Sequence, residues 1–175
     1  MNTGQMLITI GAVFLLSMVI LTTNRGLITT NSTMIDNRYG ILATSLATST
    51  IEKATGKAFD NNTDTIAVTS LTTLTNINYL GIDAGENATN PEGFNDFDDY
   101  NCYRTNPKLD TLAFEGTNRR IVFRTFCRVD YVSLNNPNSA YNQRTWHKRL
   151  IVRVISPEMT DTIKLSTIYS YWYFR

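Results

Sequence analysis

The hydrophobic pattern along the chain changes character twice. From Met6 to Leu21 it reads MLITIGAVFLLSMVIL, apolar at nearly every position, and the uncharged stretch continues to Asn24, with Arg25 the first charged side chain. From Thr22 to Lys57 there is no proline, and apolar residues recur at helical spacing: Leu27, Ile28, Ile35, Leu42 and Leu46, with Tyr39 and Ile51 close to the same stripe. Gly56 and the KAFDNNT that follows supply a stop. One continuous helix is expected from about Gln5 to Lys57, on the order of 80 Å long. Its apolar half approaches the ~20 residues a bilayer span needs. Its polar half is rich in β-branched residues, which suit an isolated helix poorly, so packing on a partner domain or on neighbours must stabilise it. Gly11, Ala12, Ser17, Ala43, Ala47 and Ala54 permit close helix–helix approach.

Past residue 57 the period shortens to two. Asn61 to Leu80 is threonine-rich with apolar beats at Ile66, Val68 and Leu71, and reads as irregular or edge strand. Gly81 to Pro107 reads as a long loop. A weak strand, Leu109 to Phe114, precedes three strong ones: Arg119 to Val132, Gln143 to Ile155 and Thr162 to Phe174. Alternation places Ile121, Phe123, Thr125, Cys127, Val129 and Tyr131 on one face. It does the same for Trp146, Lys148, Leu150, Val152 and Val154, and for Ile163, Leu165, Thr167, Tyr169, Tyr171 and Tyr173. NNPNSAYN and SPEMTD are turn chemistry. Consecutive strands without intervening helices imply an antiparallel meander. One face must be covered, and the N-terminal helix is the candidate cover. The expected fold class is α+β, a long N-terminal helix packed on a C-terminal antiparallel sheet of about four strands. Residues 1–24 form the apolar segment, 25–57 its amphipathic continuation and 58–175 a globular head.

Composition narrows the function classes. Charged residues make up 18% of the chain, and 16 basic against 15 acidic side chains leave a net charge of +1, which argues against a polybasic nucleic-acid binder. Thr and Asn, at about 15% and 10%, fill the gap, as in proteins that work outside the cell. One His and two Cys cannot build a Cys/His zinc site without carboxylates. No Walker loop, GxSxG, HExxH or CxxC is present, so no enzymatic activity and no cofactor is expected.

Several residues remain as candidate sites. The even pair Cys102 and Cys127 reads as one disulfide formed in an oxidising compartment. Asp96, Asp98 and Asp99 in NDFDDY offer hard oxygen ligands at near-alternate positions and could hold calcium; the competing reading is a solvated loop with Asx turns. Asn31, Asn61 and Asn87 stand in N-x-[ST] sequons. Asn61 and Asn87 are the glycosylation candidates. His147 reads as a surface strand residue. Arg119, Arg120, Arg124, Arg128, Arg144, Lys148, Arg149 and Arg153 lie on adjacent strands and read as a solvated sheet face or subunit contacts rather than a DNA patch. The run Tyr169 to Phe174 reads as core on one face and surface on the other.

This layout resembles the type IV pilins and related pseudopilins: an apolar run a few residues from the N-terminus, a long helix, a four-stranded antiparallel sheet and a late cysteine pair. The segments LATSTIEKATGKAFD and WHKRLIVRVISPEMTDTIKLSTIYSYW resemble pilin-like proteins of Bacteroidota-type bacteria. Mature chains of the family often start with Phe or Met, which Met1 matches. They carry a glutamate near the start, where Gln5 stands here, so the pairing of that carboxylate with a neighbour's terminal ammonium becomes at most an amide hydrogen bond. The mature terminus could be Met1, or Gln5 after a cut following Gly4, or the chain could go unprocessed. The resemblance implies a structural subunit held in the inner membrane by its helix before assembly. It then polymerises with copies of itself into an extracellular filament of the fimbrial, cell-adhesion kind, with an assembly platform and a cytoplasmic motor as partners and no nucleic acid. Met1, Gln5, Met6, Leu7, Ile10, Phe14 and Leu21 would carry assembly. Asn31 would be buried in the core of such a filament, which leaves Asn61 and Asn87 for glycans. The alternative is a membrane-anchored minor pseudopilin or binding protein of a secretion or adhesion system.

Overall fold

A computed structural model describes residues 2–113 and 120–171 of the 175. The chain divides into two units, Met1–Tyr39 and Gly40–Arg175, and a single helix, α1 (Thr3–Thr55), contributes to both. The hydroxyls of its many Ser and Thr residues bend back onto the carbonyl one turn earlier. Ser17 donates to Val13 O at 2.9 Å, Thr22 to Met18 O at 2.7 Å, Thr29 to Arg25 O at 2.9 Å and Thr44 to Gly40 O at 2.8 Å. A composition that competes with helix in water thus satisfies its own donors inside the helix.

In the second unit four strands form the expected meander, β1 (Lys108–Ala113), β2 (Arg120–Tyr131), β3 (His147–Ile155) and β4 (Ile163–Ser170), in the order β1-β2-β3-β4 and all antiparallel. The α+β arrangement of a long helix packed on a four-stranded sheet is present. Strand limits differ from the sequence reading mainly at residues 143–146, which are not strand; Trp146 instead stacks on Tyr171 with ring centroids 5.3 Å apart. Phe114, Arg119 and residues 172–174 of the expected strands lie outside the described residues. The alternation held: Ile121, Phe123, Thr125, Cys127, Val129 and Tyr131 are all buried, as are Lys148, Leu150, Val152 and Val154.

The helix shares the cover of this face with the segment that follows it. Between Gly40 and Thr55 the helix buries only small side chains completely, Ala43, Ala47 and Ala54. The bulky cover comes from the segment between helix and sheet, through Phe59, Leu74, Phe94, Phe97, Tyr100 and Tyr103. An alanine stripe alone cannot fill the space over a four-stranded sheet, and these large side chains do. The segment contains short 3₁₀ turns at Asn61–Thr63, Leu71–Thr73, Ile77–Tyr79 and Pro91–Gly93, then a longer 3₁₀ helix at Asp98–Arg104. Gly85, at φ 102°, makes a turn that a side chain would strain. The segment is pinned by polar bonds. Phe97 N donates to Ala58 O at 2.9 Å. The Asn101 side chain accepts from Val129 N at 3.0 Å and donates to Leu80 O at 2.8 Å. Strand β4 and the residue after it reach back as well: Tyr169 Oη donates to Lys57 O at 3.1 Å, and Val68 N donates to Tyr171 Oη at 2.9 Å.

Because Ala47 is fully buried, Ala47→Leu is expected to destabilise the second unit by ~1–3 kcal/mol through overpacking. The check is a lower urea midpoint with an unchanged slope.

Candidate functional site

Two regions carry chemistry that a plain globular fold does not need. The first is the N-terminal stretch of α1. Met6, Leu7, Ile10, Phe14 and Leu21 are 56–71% exposed, and so are most of their apolar neighbours. Gln5 is exposed at the head of the run, and its backbone N–H donates to Asn2 O at 2.9 Å. Met1 lies outside the described residues. Among the described residues, α1 is the one helix long and apolar enough to cross a membrane.

The second region is a buried ionic cluster on β3. Lys148 sits in the apolar stripe, directly opposite Tyr131 on β2 and Tyr169 on β4, and is wholly buried. Its Nζ donates to Phe59 O and to Asp60 Oδ2, both at 2.8 Å, and to Asp98 Oδ1. The Phe59 and Tyr131 ring centroids lie 4.7 and 5.4 Å from Nζ. Burial alone would lower the Lys148 pKa, but the charges of Asp98, Asp60 and Asp96 outweigh it and hold the ammonium above its ordinary value. Burial would likewise raise Asp60. The Lys148 charge and hydrogen bond, with the amides of Thr75 and Asn62, reverse this and keep Asp60 below the usual carboxylate range.

Around Asp98 lies an acidic shell. Asp96 Oδ1 accepts from the N–H groups of Asp98 and Asp99 at 2.8 and 3.1 Å. Asp99 Oδ2 accepts from those of Asn95 and Asp96, both at 3.0 Å. Burial and the charge of Asp98 push Asp96 up to about 9. Burial, with Glu86 alongside, pushes Asp99 up to about 7. The expected calcium trio is corrected in one respect: Asp98 is spent on Lys148. The carboxylates that converge, with oxygens within 4.8 Å of one another, are Asp83, Asp96 and Asp99. Calcium takes about six to eight oxygens, and three carboxylates alone do not define such a centre. The alternative of a solvated loop is corrected too, since Asp96, Asp98 and Asp99 are all buried.

The other candidates fall in varied places. Cys102 and Cys127 are free thiols, and the expected bond between them is not formed. Burial pushes them up to about 11 and about 12, so both keep their protons and neither is a thiolate nucleophile. Asn61 and Asn87 are exposed on the second unit, and Asn31 is exposed on the helix. His147 Nδ1 pairs with Ser170 Oγ at 2.7 Å. The basic surface reading is corrected for Lys148, which is core. It is also corrected for Arg149, which is buried and donates to Pro137 O at 3.0 Å. Of the terminal aromatics, Tyr169 and Tyr171 pack on Phe59 with centroids 5.8 and 5.7 Å apart. Asp60 escaped the sequence reading, but one signal for the cluster was present, a lysine in register with an apolar stripe. No protein-family model, curated protein or solved structure matches the chain.

Two outcomes are expected. Lys148→Met leaves the carboxyls of Asp60 and Asp98 buried without their cation, and should cost about 3–5 kcal/mol in denaturant unfolding. In the folded chain Asp96 holds its proton from about pH 4 to about 9, and Asp99 from about pH 4 to about 7, ranges where the unfolded chain has released both. Stability therefore falls as pH rises through those ranges. The contribution of Asp60 has the opposite sign and is lost only as pH drops below the ordinary aspartate range. The melting temperature at pH 5 should exceed that at pH 8.5 by at least ~3 °C, and Asp96→Asn should reduce the difference.

Proposed function

We propose that this chain is a structural subunit of an extracellular filament of the type IV pilus kind, assembled through its apolar helix. One observation carries the reading: in unit Met1–Tyr39 a long uncharged helical run presents large apolar side chains that are exposed among the described residues. Such a surface is stable only in lipid or against other apolar helices. Before assembly the inner membrane provides the first environment. In the filament, copies of the same helix provide the second, so burial is maintained while lipid is exchanged for protein. The back-bonded hydroxyls of Ser17, Thr22 and Thr23 suit both environments, since neither offers water to an unsatisfied donor. The heads tile the outside through weakly charged, Thr- and Asn-rich surfaces. Extraction from the membrane requires an assembly platform and a separate cytoplasmic motor.

The fit of α1 to a bilayer span also supports a second reading, a minor pseudopilin or binding protein that stays anchored and never polymerises alone.

The full chain is expected to be membrane-bound or polymeric, and a chain beginning near Arg25 to be a soluble monomer, as read by sedimentation. Val13→Asp should abolish assembly, because a charge at the centre of such a helix costs at least ~2.5 kcal/mol. Gln5→Leu should keep filaments with modest loss if packing by Met6, Leu7, Ile10, Phe14 and Leu21 dominates. Electron microscopy of sheared surface material, with peptide identification, separates the two readings: filaments built of this chain support the first, and anchored monomers at low copy support the second.

A further inference from the structure

We propose that Lys148 and Asp98 are the two halves of an intramolecular amide cross-link, in which the lysine Nζ condenses with the Asp98 carboxyl carbon and one water is lost. The link would tie the 3₁₀ helix Asp98–Arg104 to strand β3, across 50 residues of sequence. It does not depend on the filament reading.

The site holds the parts such a condensation needs. Nζ and the Asp98 carboxyl are in direct contact, and both residues are sealed from solvent. Aromatic rings wall the amine: Phe59 and Tyr131 face it, and Phe97 packs on Tyr169 at 5.1 Å. Fixing amine and acyl carbon together in a packed core replaces a chance encounter with an effective concentration of about 10⁵ M or more. Exclusion of water removes the competing hydrolysis.

Of the two carboxyls on Lys148, Asp98 is the electrophile. Asp60 also accepts from Asn62 N at 3.2 Å, Thr75 N at 2.9 Å, Thr75 Oγ1 at 3.0 Å and Tyr131 Oη at 3.4 Å. Those donors hold it as an anion, a poor acyl donor but a ready proton acceptor. Asp98 contacts the amine, and the Asp96 carboxyl beside it accepts from the Asp98 N–H at 2.8 Å. Burial favours the neutral form of both acids, in Asp98 despite the ammonium beside it.

The step balances. One proton passes from the ammonium to the Asp98 carboxylate, giving a neutral amine and a neutral acid. The nitrogen lone pair attacks Asp98 Cγ, the C–N bond forms, and the carbonyl electron pair moves onto oxygen beside the Asp96 carboxyl. Asp60 takes the second proton from nitrogen. The C–O bond breaks, the hydroxyl leaves as water with the proton of Asp96, and the proton on Asp60 restores Asp96. One ammonium and one carboxylate have become one amide and one water. Two buried charges are gone, and Asp60 keeps its donors from Asn62, Thr75 and Tyr131.

The experiment is the intact mass of the full-length chain, denatured and reduced, referred to its measured N-terminus. The expected mass is one water below that of the sequence, with a branched peptide joining the Asp98 and Lys148 fragments after digestion. Lys148→Arg and Asp98→Ala should restore the full mass. Asp98→Asn should lose one ammonia instead, and Asp96→Asn should slow the loss in freshly made chain. The unsubstituted chain decides the matter even where a variant fails to fold. A full sequence mass overturns the cross-link and leaves an ionic triad. A mass deficit without the branched peptide, or one that persists in Lys148→Arg, overturns it equally.

Discussion

The head is organised around one ammonium placed where a hydrophobic side chain would ordinarily go. Lys148 enters the core from the middle of the sheet, and three acceptors must meet it there, Phe59 O, Asp60 and Asp98. Two of the three lie just past the helix and the third begins the last 3₁₀ helix before the sheet. The path of the irregular segment is thus fixed at both ends by a single buried charge. A buried ion pair is a weak source of net stability but a strong source of specificity, because any arrangement that misplaces a partner leaves a charge unpaired. A segment with no long helix or strand of its own is held in one conformation by this requirement, helped by the aromatic side chains it lays on the sheet.

The helix answers a different constraint. Over its first half its large apolar side chains are exposed among the described residues, so its stability must come from its own hydrogen bonds and from whatever apolar medium surrounds it. The repeated return of Ser and Thr hydroxyls to the preceding turn removes donors that lipid could not satisfy. The hydroxyls of Ser17, Thr22 and Thr23 are therefore compatible with helix in hydrocarbon.

Much of the scaffold was legible from period alone. The switch from a 3.6-residue to a two-residue rhythm located helix and strands, and alternation marked the buried face of β2 and β3, although Lys148 also read as part of a solvated basic face. The cluster was only half legible. The three aspartates of NDFDDY stood out as a group, but their partner was a lysine 50 residues away, and neither spacing nor composition joins such distant positions. Asp60 was hidden for the same reason: it is one residue in a polar stretch, and its burial arises only when Thr75, Tyr131 and Lys148 converge on it. The share of the cover that comes from the segment between helix and sheet was not legible, because long irregular segments carry no periodic signal, although their aromatic residues were in plain view.

The two tyrosine hydroxyls at the end of β4 have a consequence in time. Tyr169 closes on Lys57 and Tyr171 on Val68, contacts that join positions 112 and 103 residues apart. A chain emerging from the ribosome in order has its apolar helix complete long before those tyrosines exist. Contacts of such long range are the slow ones to form. In the proposed membrane-anchored state the helix can therefore insert while the head is still open, and the head closes only when nearly all of the chain has been made.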